Sequence, residues 1–156
     1  MTDRIESFFE AQLREWATAR DNHEALTRVW SRELTSTKLP IALRVQCNPA
    51  RMVSTGASID KASIAARPCF LCSANRPSEQ LSMALNEEME WLVNPYPILQ
   101  GHLTIASTTH RPQCIAEAYN ALIQATKALP DEYIVFYNGP KCGASAPDHL
   151  HLQAGI

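Results

Sequence analysis

The chain has no excess of either charge. Fourteen Lys and Arg stand against sixteen Asp and Glu in 156 residues, a formal net charge of −2. No basic field is therefore present to hold nucleic acid unspecifically, although a few basic residues could still gather in one pocket for a phosphorylated small molecule. There is no apolar run long enough to span a bilayer. The opening residues, MTDRIESFFEAQ, contain no signal-peptide core. Repeats, low-complexity tracts and linkers are also missing, which gives one domain over residues 1–156. The cysteines number five, and only Cys69 and Cys72 are close in sequence, in PCFLC. An odd count without an export signal speaks against a disulfide framework and for a reducing cytoplasm. What is present, 46% hydrophobic and 19% charged residues, is ordinary for a folded soluble domain large enough to bury a core.

The patterning is mixed α and β. TDRIESFFEAQLREWATAR carries Ile5, Phe8, Phe9, Leu13 and Trp16 at helical spacing, with Thr2 or Asp3 as N-cap. ALTRVWSREL and IALRVQC read as strands separated by a polar turn with Pro40. QLSMALNEEMEWLVNPYP gives two short strands about Asn86-Glu87-Glu88, and GHLTIAS gives another. PQCIAEAYNALIQATKAL reads as a helix opening at Pro112, with Ile115, Ala118, Leu122, Ile123 and Leu129 on one face. EYIVFYN is a strand. A loop, GPKCGASAPD, leads to a last strand, HLHLQ. Successive strands with short connections imply an α+β fold, an antiparallel sheet with the long helix laid on it.

The last strand carries the chemistry. Side chains alternate faces along a strand, so His149, His151 and Gln153 share one face, with successive members about 7 Å apart. Leu150 and Leu152 take the other face, towards the core under the helix. The three polar side chains then line a surface or cleft. A row of inert histidines on a sheet edge is the plainer alternative, and the preceding Gly/Ser loop argues against it.

These residues resemble the histidine triad (HIT-like) superfamily, in its transferase branch of galactose-1-phosphate uridylyltransferase, dinucleoside tetraphosphate phosphorylase and GDP-hexose phosphorylase. NGPKCGASAPDHLHLQ is similar to the Asn-Gly, Gly-x-Ser, His-x-His-x-Gln succession of that branch. WLVNPYPILQGHLTIASTTH resembles its earlier Asn, Gly-His and second-His segment. PCFLCSAN resembles the zinc Cys-x-x-Cys segment of the uridylyltransferase, and VQCNPARMVS an Asn-Pro segment with a phosphate-side arginine. The likeness runs in order from about Gln46 to Gln153.

The resemblance implies a HIT-like domain in which His151 is the nucleophile and forms a covalent nucleotidyl-histidine, a two-step transfer that avoids one difficult collision. Gln153 would donate to a phosphate oxygen without titrating. Asn94 matches the position near the ribose and Asn138 the phosphate-contact asparagine. Ser145, in a loop offering backbone N–H groups, and Arg51, whose guanidinium suits phosphate, complete the substrate set. Cys69 and Cys72 suit a structural zinc, which needs two more ligands. His110 and His149 are the positions the resemblance supplies. A redox Cys-x-x-Cys does not fit the flanking pattern, and two buried thiols without metal are the bland alternative. His102 reads as structural and His23 as solvent-exposed.

The implied activity is a nucleotidyltransferase or phosphorylase acting on a nucleoside diphosphate sugar or a dinucleoside polyphosphate. Phosphate or a sugar phosphate is the acceptor. A hydrolase of nucleotide conjugates and a zinc-stabilised nucleotide-binding module without turnover are the other readings. Members of the branch usually carry a second related half. The expectation is a natural short form, a homodimer completing the site, or the first half of a longer protein.

Overall fold

A computed structural model of the chain describes residues 2–49 and 58–156. The N-terminal periodicity yields two helices rather than one. Helix α1 spans Thr2–Glu15 and α2 spans Ala17–Ala25. Between them Trp16 leaves the helical region (φ −118°, ψ 97°). The break buries Ile5, Trp16 and Ala19 in one apolar cluster.

Helix α2 is tied down by polar side chains. Asn22 Nδ2 donates to the Pro95 carbonyl at 2.8 Å, and His23 Nε2 donates to the Asn94 carbonyl at 2.9 Å. The His23 ring meets Phe9 edge to face at 5.0 Å. His23 is thus only 7% exposed, which corrects the expectation of a solvent-facing histidine; helical periodicity does not show that a loop will close over a polar side chain. Burial lowers its pKa below the ordinary 6.5, and the hydrogen bond to Asn94 only partly opposes this. The folded chain therefore binds fewer protons here than the unfolded chain, and stability rises with pH. His23 should contribute fully above about pH 6.5 and lose that contribution as pH falls through its lower folded value. Melting temperatures at pH 5 and pH 7.5 should converge in His23→Gln relative to wild type. An unchanged difference would refute this.

Strands β1 (Trp30–Ser36) and β2 (Leu39–Cys47) form a separate antiparallel ribbon. Its turn is Thr37-Lys38, and Pro40 lies inside β2 rather than in the turn. Register pairs Trp30 with Cys47, Arg32 with Val45 and Leu34 with Leu43. The short helix α3 (Lys61–Ala66) is N-capped by Asp60, whose Oδ1 accepts from the Ala62 and Ser63 amides.

The main sheet has five strands in the order β3-β4-β5-β7-β6, all antiparallel. They are β3 (Met83–Ala84), β4 (Met89–Val93), β5 (Leu103–Ser107), β6 (Ile134–Phe136) and β7 (His151–Gly155). Helix α4 (Ile115–Ala128) joins β5 to β6. It begins at Ile115, with Cys114 as N-cap, rather than at Pro112. Its buried face is the expected one in part, with Ala118 and Leu129 buried and Leu122 packed against the core. Ile115 and Ile123 are exposed, and Ala118, Ala121, Ala125 and Ala128 are buried. Small side chains let the helix lie close against the sheet, so bulk comes from Trp91, Leu103, Ile105, Leu150 and Leu152 beneath it. Gly101 supplies the positive φ (61°) of the turn into β5, where a Cβ would collide with the Tyr133 hydroxyl. Among the described residues no helix is long and apolar enough to cross a membrane.

Candidate active site

Strand register sorts the sheet into a core face and a site face. On β7, Leu152 and Ala154 pack in the core under α4, and Leu150 joins them just before the strand. The opposite face carries His151 across from Ala106, and Gln153 across from Thr104 and Phe136. The alternation expected from HLHLQ is therefore present. The regular strand starts only at His151, because the His149 amide turns back to the Ala146 carbonyl at 3.2 Å.

That turn sends His149 towards the Cys69-x-x-Cys72 loop. His149 Nε2 donates to the Ser107 carbonyl at 2.8 Å. Its Nδ1 lone pair is then left facing Cys69 Sγ at 3.3 Å and Cys72 Sγ at 3.6 Å. His110 Nδ1 lies 3.3 Å from Cys72 Sγ, and its ring stands at 89° to that of His149. The four ligand atoms all lie within 4.8 Å of one another. A tetrahedral zinc with bonds of about 2.3 Å to sulfur and about 2.1 Å to nitrogen separates S from N by about 3.6 Å. The donor set and its spacing fit such an ion. Burial raises the Cys69 thiol. With no ion between them, a proton on His149 Nδ1 donated to the Cys69 thiolate, together with the backbone amides of Leu71 and Cys72, outweighs burial and brings the Cys69 pKa down to about 6, while against burial Cys69 in turn raises that of His149. Burial also raises Cys72, reinforced by the neighbouring Cys69.

The loop bearing the two cysteines is held from several sides. The Cys72 amide donates to the Cys69 carbonyl, as does Asn75 Nδ2. Arg76 donates to the Leu71 carbonyl and pairs with Glu90 of β4, the two side chains being 6% and 14% exposed. Burial favours the neutral carboxyl of Glu90, but the Arg76 and Ser82 hydrogen bonds win and lower its pKa. On the other side of the cluster, Asp148 Oδ2 lies 3.7 Å from His110 Nε2. The outer nitrogens of both histidines thus face an acceptor, as metal-bound imidazoles usually do.

His151 is 5% exposed and faces away from α4. Its surroundings decide its tautomer. Gln113 Nε2 lies 3.1 Å from each of the Asn138 and His151 carbonyls, while Gln113 Oε1 accepts the His151 amide at 3.0 Å. Gln113 Nε2 also lies 3.1 Å from His151 Nδ1, but the two carbonyls take its protons, and the His149 carbonyl beside Nδ1 can only accept. His151 Nδ1 then carries the ring proton and donates to the His149 carbonyl at 2.8 Å. The Nε2 lone pair is left free to act as a base or nucleophile. Burial lowers the His151 pKa, with the His149 carbonyl opposing, so the neutral ring prevails at neutral pH.

The same face of the sheet floors a cavity of about 590 Å³. Leu92 and Thr104 line it, together with Asn94, Tyr96, Arg67, Phe70 and Ser145. Asn94 Nδ2 donates to Thr104 Oγ1 at 3.1 Å, and its Oδ1 accepts the Tyr96 amide. Of the expected substrate residues, Asn94 and Ser145 meet at this cavity. Asn138 meets His151 instead, through its carbonyl and Gln113. Arg51 lies outside the described residues. His151 is buried rather than set in an open cleft, and neither it nor Gln153 is among the residues lining the cavity.

Two site residues escaped the sequence reading. Gln113 follows a proline in an irregular stretch, and nothing in its spacing marks it. His102 was read as structural, yet its Nε2 lies 3.0 Å from Gln153 Oε1.

An antiparallel sheet with a helix on one face and a Cys/His cluster beside His151 on the other is a HIT-like fold. It is shared with yeast Ap4A phosphorylase Apa2. The AMP complex of that enzyme superposes with a TM-score of 0.57 at 21% identity, covering 96% of this chain and 48% of that one. Its Ap4A complex gives 0.50 at 21%, covering 89% and 50%. This chain thus spans about half the length of the yeast protein. By sequence, residues 8–156 match the family described as a domain of unknown function, DUF4922, and the chain belongs to that family. No curated protein matches it.

Proposed function

We propose that this domain transfers a nucleotidyl group through a covalent intermediate on His151, with a dinucleoside polyphosphate or a nucleoside diphosphate sugar as donor. The observation that carries the reading is the fixed tautomer of His151 beside a cavity of about 590 Å³, within the range of small-molecule sites. Thr104 of the cavity floor lies opposite Gln153, and Ala106 lies opposite His151, about 7 Å further along the strand. A nucleoside in the cavity would present its 5′-phosphate along that row. The His151 Nε2 lone pair attacks the α-phosphorus. The bond to the bridging oxygen breaks, and the leaving polyphosphate or sugar phosphate takes the electron pair. In the second step an oxygen of inorganic phosphate or a sugar phosphate attacks the same phosphorus, the N–P bond breaks, and the imidazole recovers its lone pair.

Gln153 and Ser145 would supply neutral donors to the phosphate oxygens. Asn94 would shape the ribose end, and Arg51 would serve the phosphates. Zinc held by Cys69, Cys72, His110 and His149 would be structural, since four protein ligands leave no open position. Its part is to fix the turn that delivers β7.

The test is mass spectrometry of the protein after incubation with Ap4A, GDP-hexose and UDP-hexose. An acid-labile mononucleotide on a tryptic peptide containing His151 is the expected result. Turnover that requires added phosphate identifies the phosphorylase, and turnover in water alone identifies the hydrolase. Nucleotide binding with neither adduct nor turnover would refute the enzyme and leave a binding module.

A further inference from the structure

His102 is 1% exposed and stands on the site face of the sheet, two residues before Thr104. Its ring is stacked on Phe136 at 6.4 Å with 19° between the planes. The Ile98 amide donates to His102 Nδ1 at 3.2 Å. That nitrogen is therefore the acceptor, and a neutral imidazole has only one. Nε2 must then carry the proton, and it donates to Gln153 Oε1 at 3.0 Å. A primary amide has two ends of similar shape, and a half-turn exchanges them at little steric cost. Here a half-turn would set two N–H donors against each other.

We infer that His102 is a positioning residue, a tautomer-locked donor that fixes which end of the Gln153 amide faces the site. The Ile98 amide sets the His102 tautomer, the His102 tautomer sets the Gln153 amide, and the amide nitrogen is left as a donor. Among the described residues no acceptor takes its protons. A donor facing the row that holds His151 suits an anionic oxygen, so the ligand class is a phosphate ester or phosphoanhydride. The inference rests on the transfer reading for its purpose, but the locking itself does not.

Two measurements keep these apart. In ¹⁵N-labelled protein the His102 ring should show a protonated Nε2 and an unprotonated Nδ1. Finding the opposite tautomer would overturn the lock whatever the activity. His102→Phe keeps ring and volume but removes the donor, whereas His102→Gln can retain a donor near the position of Nε2. If transfer occurs, His102→Phe should lower kcat about tenfold to a hundredfold, less than outright loss of a preorganised donor. KM should change little, and His102→Gln should recover most of the loss. In a Gln153→Ala background His102→Phe should cost nothing further. A full additional loss there, at unchanged folded fraction, would mean that His102 acts other than through Gln153. If wild type transfers nothing, the transfer reading fails, and the ring tautomer still decides the lock.

Discussion

Protein stripped of zinc with a strong chelator should lose its cooperative thermal transition or show it at least about 10 °C lower. A structural zinc contributes on the order of 10 kcal/mol in small domains, comparable with the whole stability of a typical one. In a chain of this size each kcal/mol is worth about 2–4 °C. The four ligands come from three separate stretches, Cys69–Cys72, His110 and His149, so the ion would tie together segments remote in sequence. Metal analysis of protein purified without chelator should find about one zinc per chain. Cys69→Ser and His110→Ala should lose both metal and stability. A metal-free wild type with an unchanged melting curve in chelator would remove zinc from the account.

The second large effect is at His151. His151→Ala should abolish nucleotide labelling and lower turnover by about 10⁴-fold or more, as loss of a covalent nucleophile does. Zinc content should be unchanged, because His149 rather than His151 faces the cysteines. Gln153→Ala should slow transfer by about 10²–10³-fold while still allowing the adduct to form. If His151→Ala turns over like wild type, the free Nε2 is not the reacting atom.

Much of this arrangement was legible because period-two patterning leaves little choice. HLHLQ could hardly place its leucines anywhere but the core, and the histidines then had to face away. Spacing singled out Cys69 and Cys72 and the resemblance supplied His110 and His149, and the four side chains do come together within reach of one ion. Helix α4 was legible as a helix and only partly as a face, since Ala118, Leu122 and Leu129 pack on the core as expected but Ile115 and Ile123 do not. Its larger residues suggested the buried side, whereas close approach to the sheet selected the alanines. His23 and Gln113 were illegible for a shared reason. Each is a polar side chain whose partners are backbone carbonyls remote in sequence, Asn94 for His23 and Asn138 for Gln113. Backbone acceptors leave no mark on composition. The break at Trp16 was hidden because an extended residue between two helices keeps roughly the same apolar spacing.

The interleaving on β7 restricts where the chain length can change. Core leucines and site histidines alternate on a strand that is hydrogen-bonded on both sides, to β5 and β6. Insertion of one residue within 150–153 would exchange the two rows, putting histidine under α4 and leucine on the opposite face beside Ala106 and Thr104. Such a change cannot damage the site alone, since it destroys the core with it. The loop before the strand is bound by no such parity, and its Gly143 already sits at φ 91° with open space around it. Differences in length among homologous chains should therefore gather between Gly139 and Ser145, and the span from Leu150 to Gln153 should keep its count.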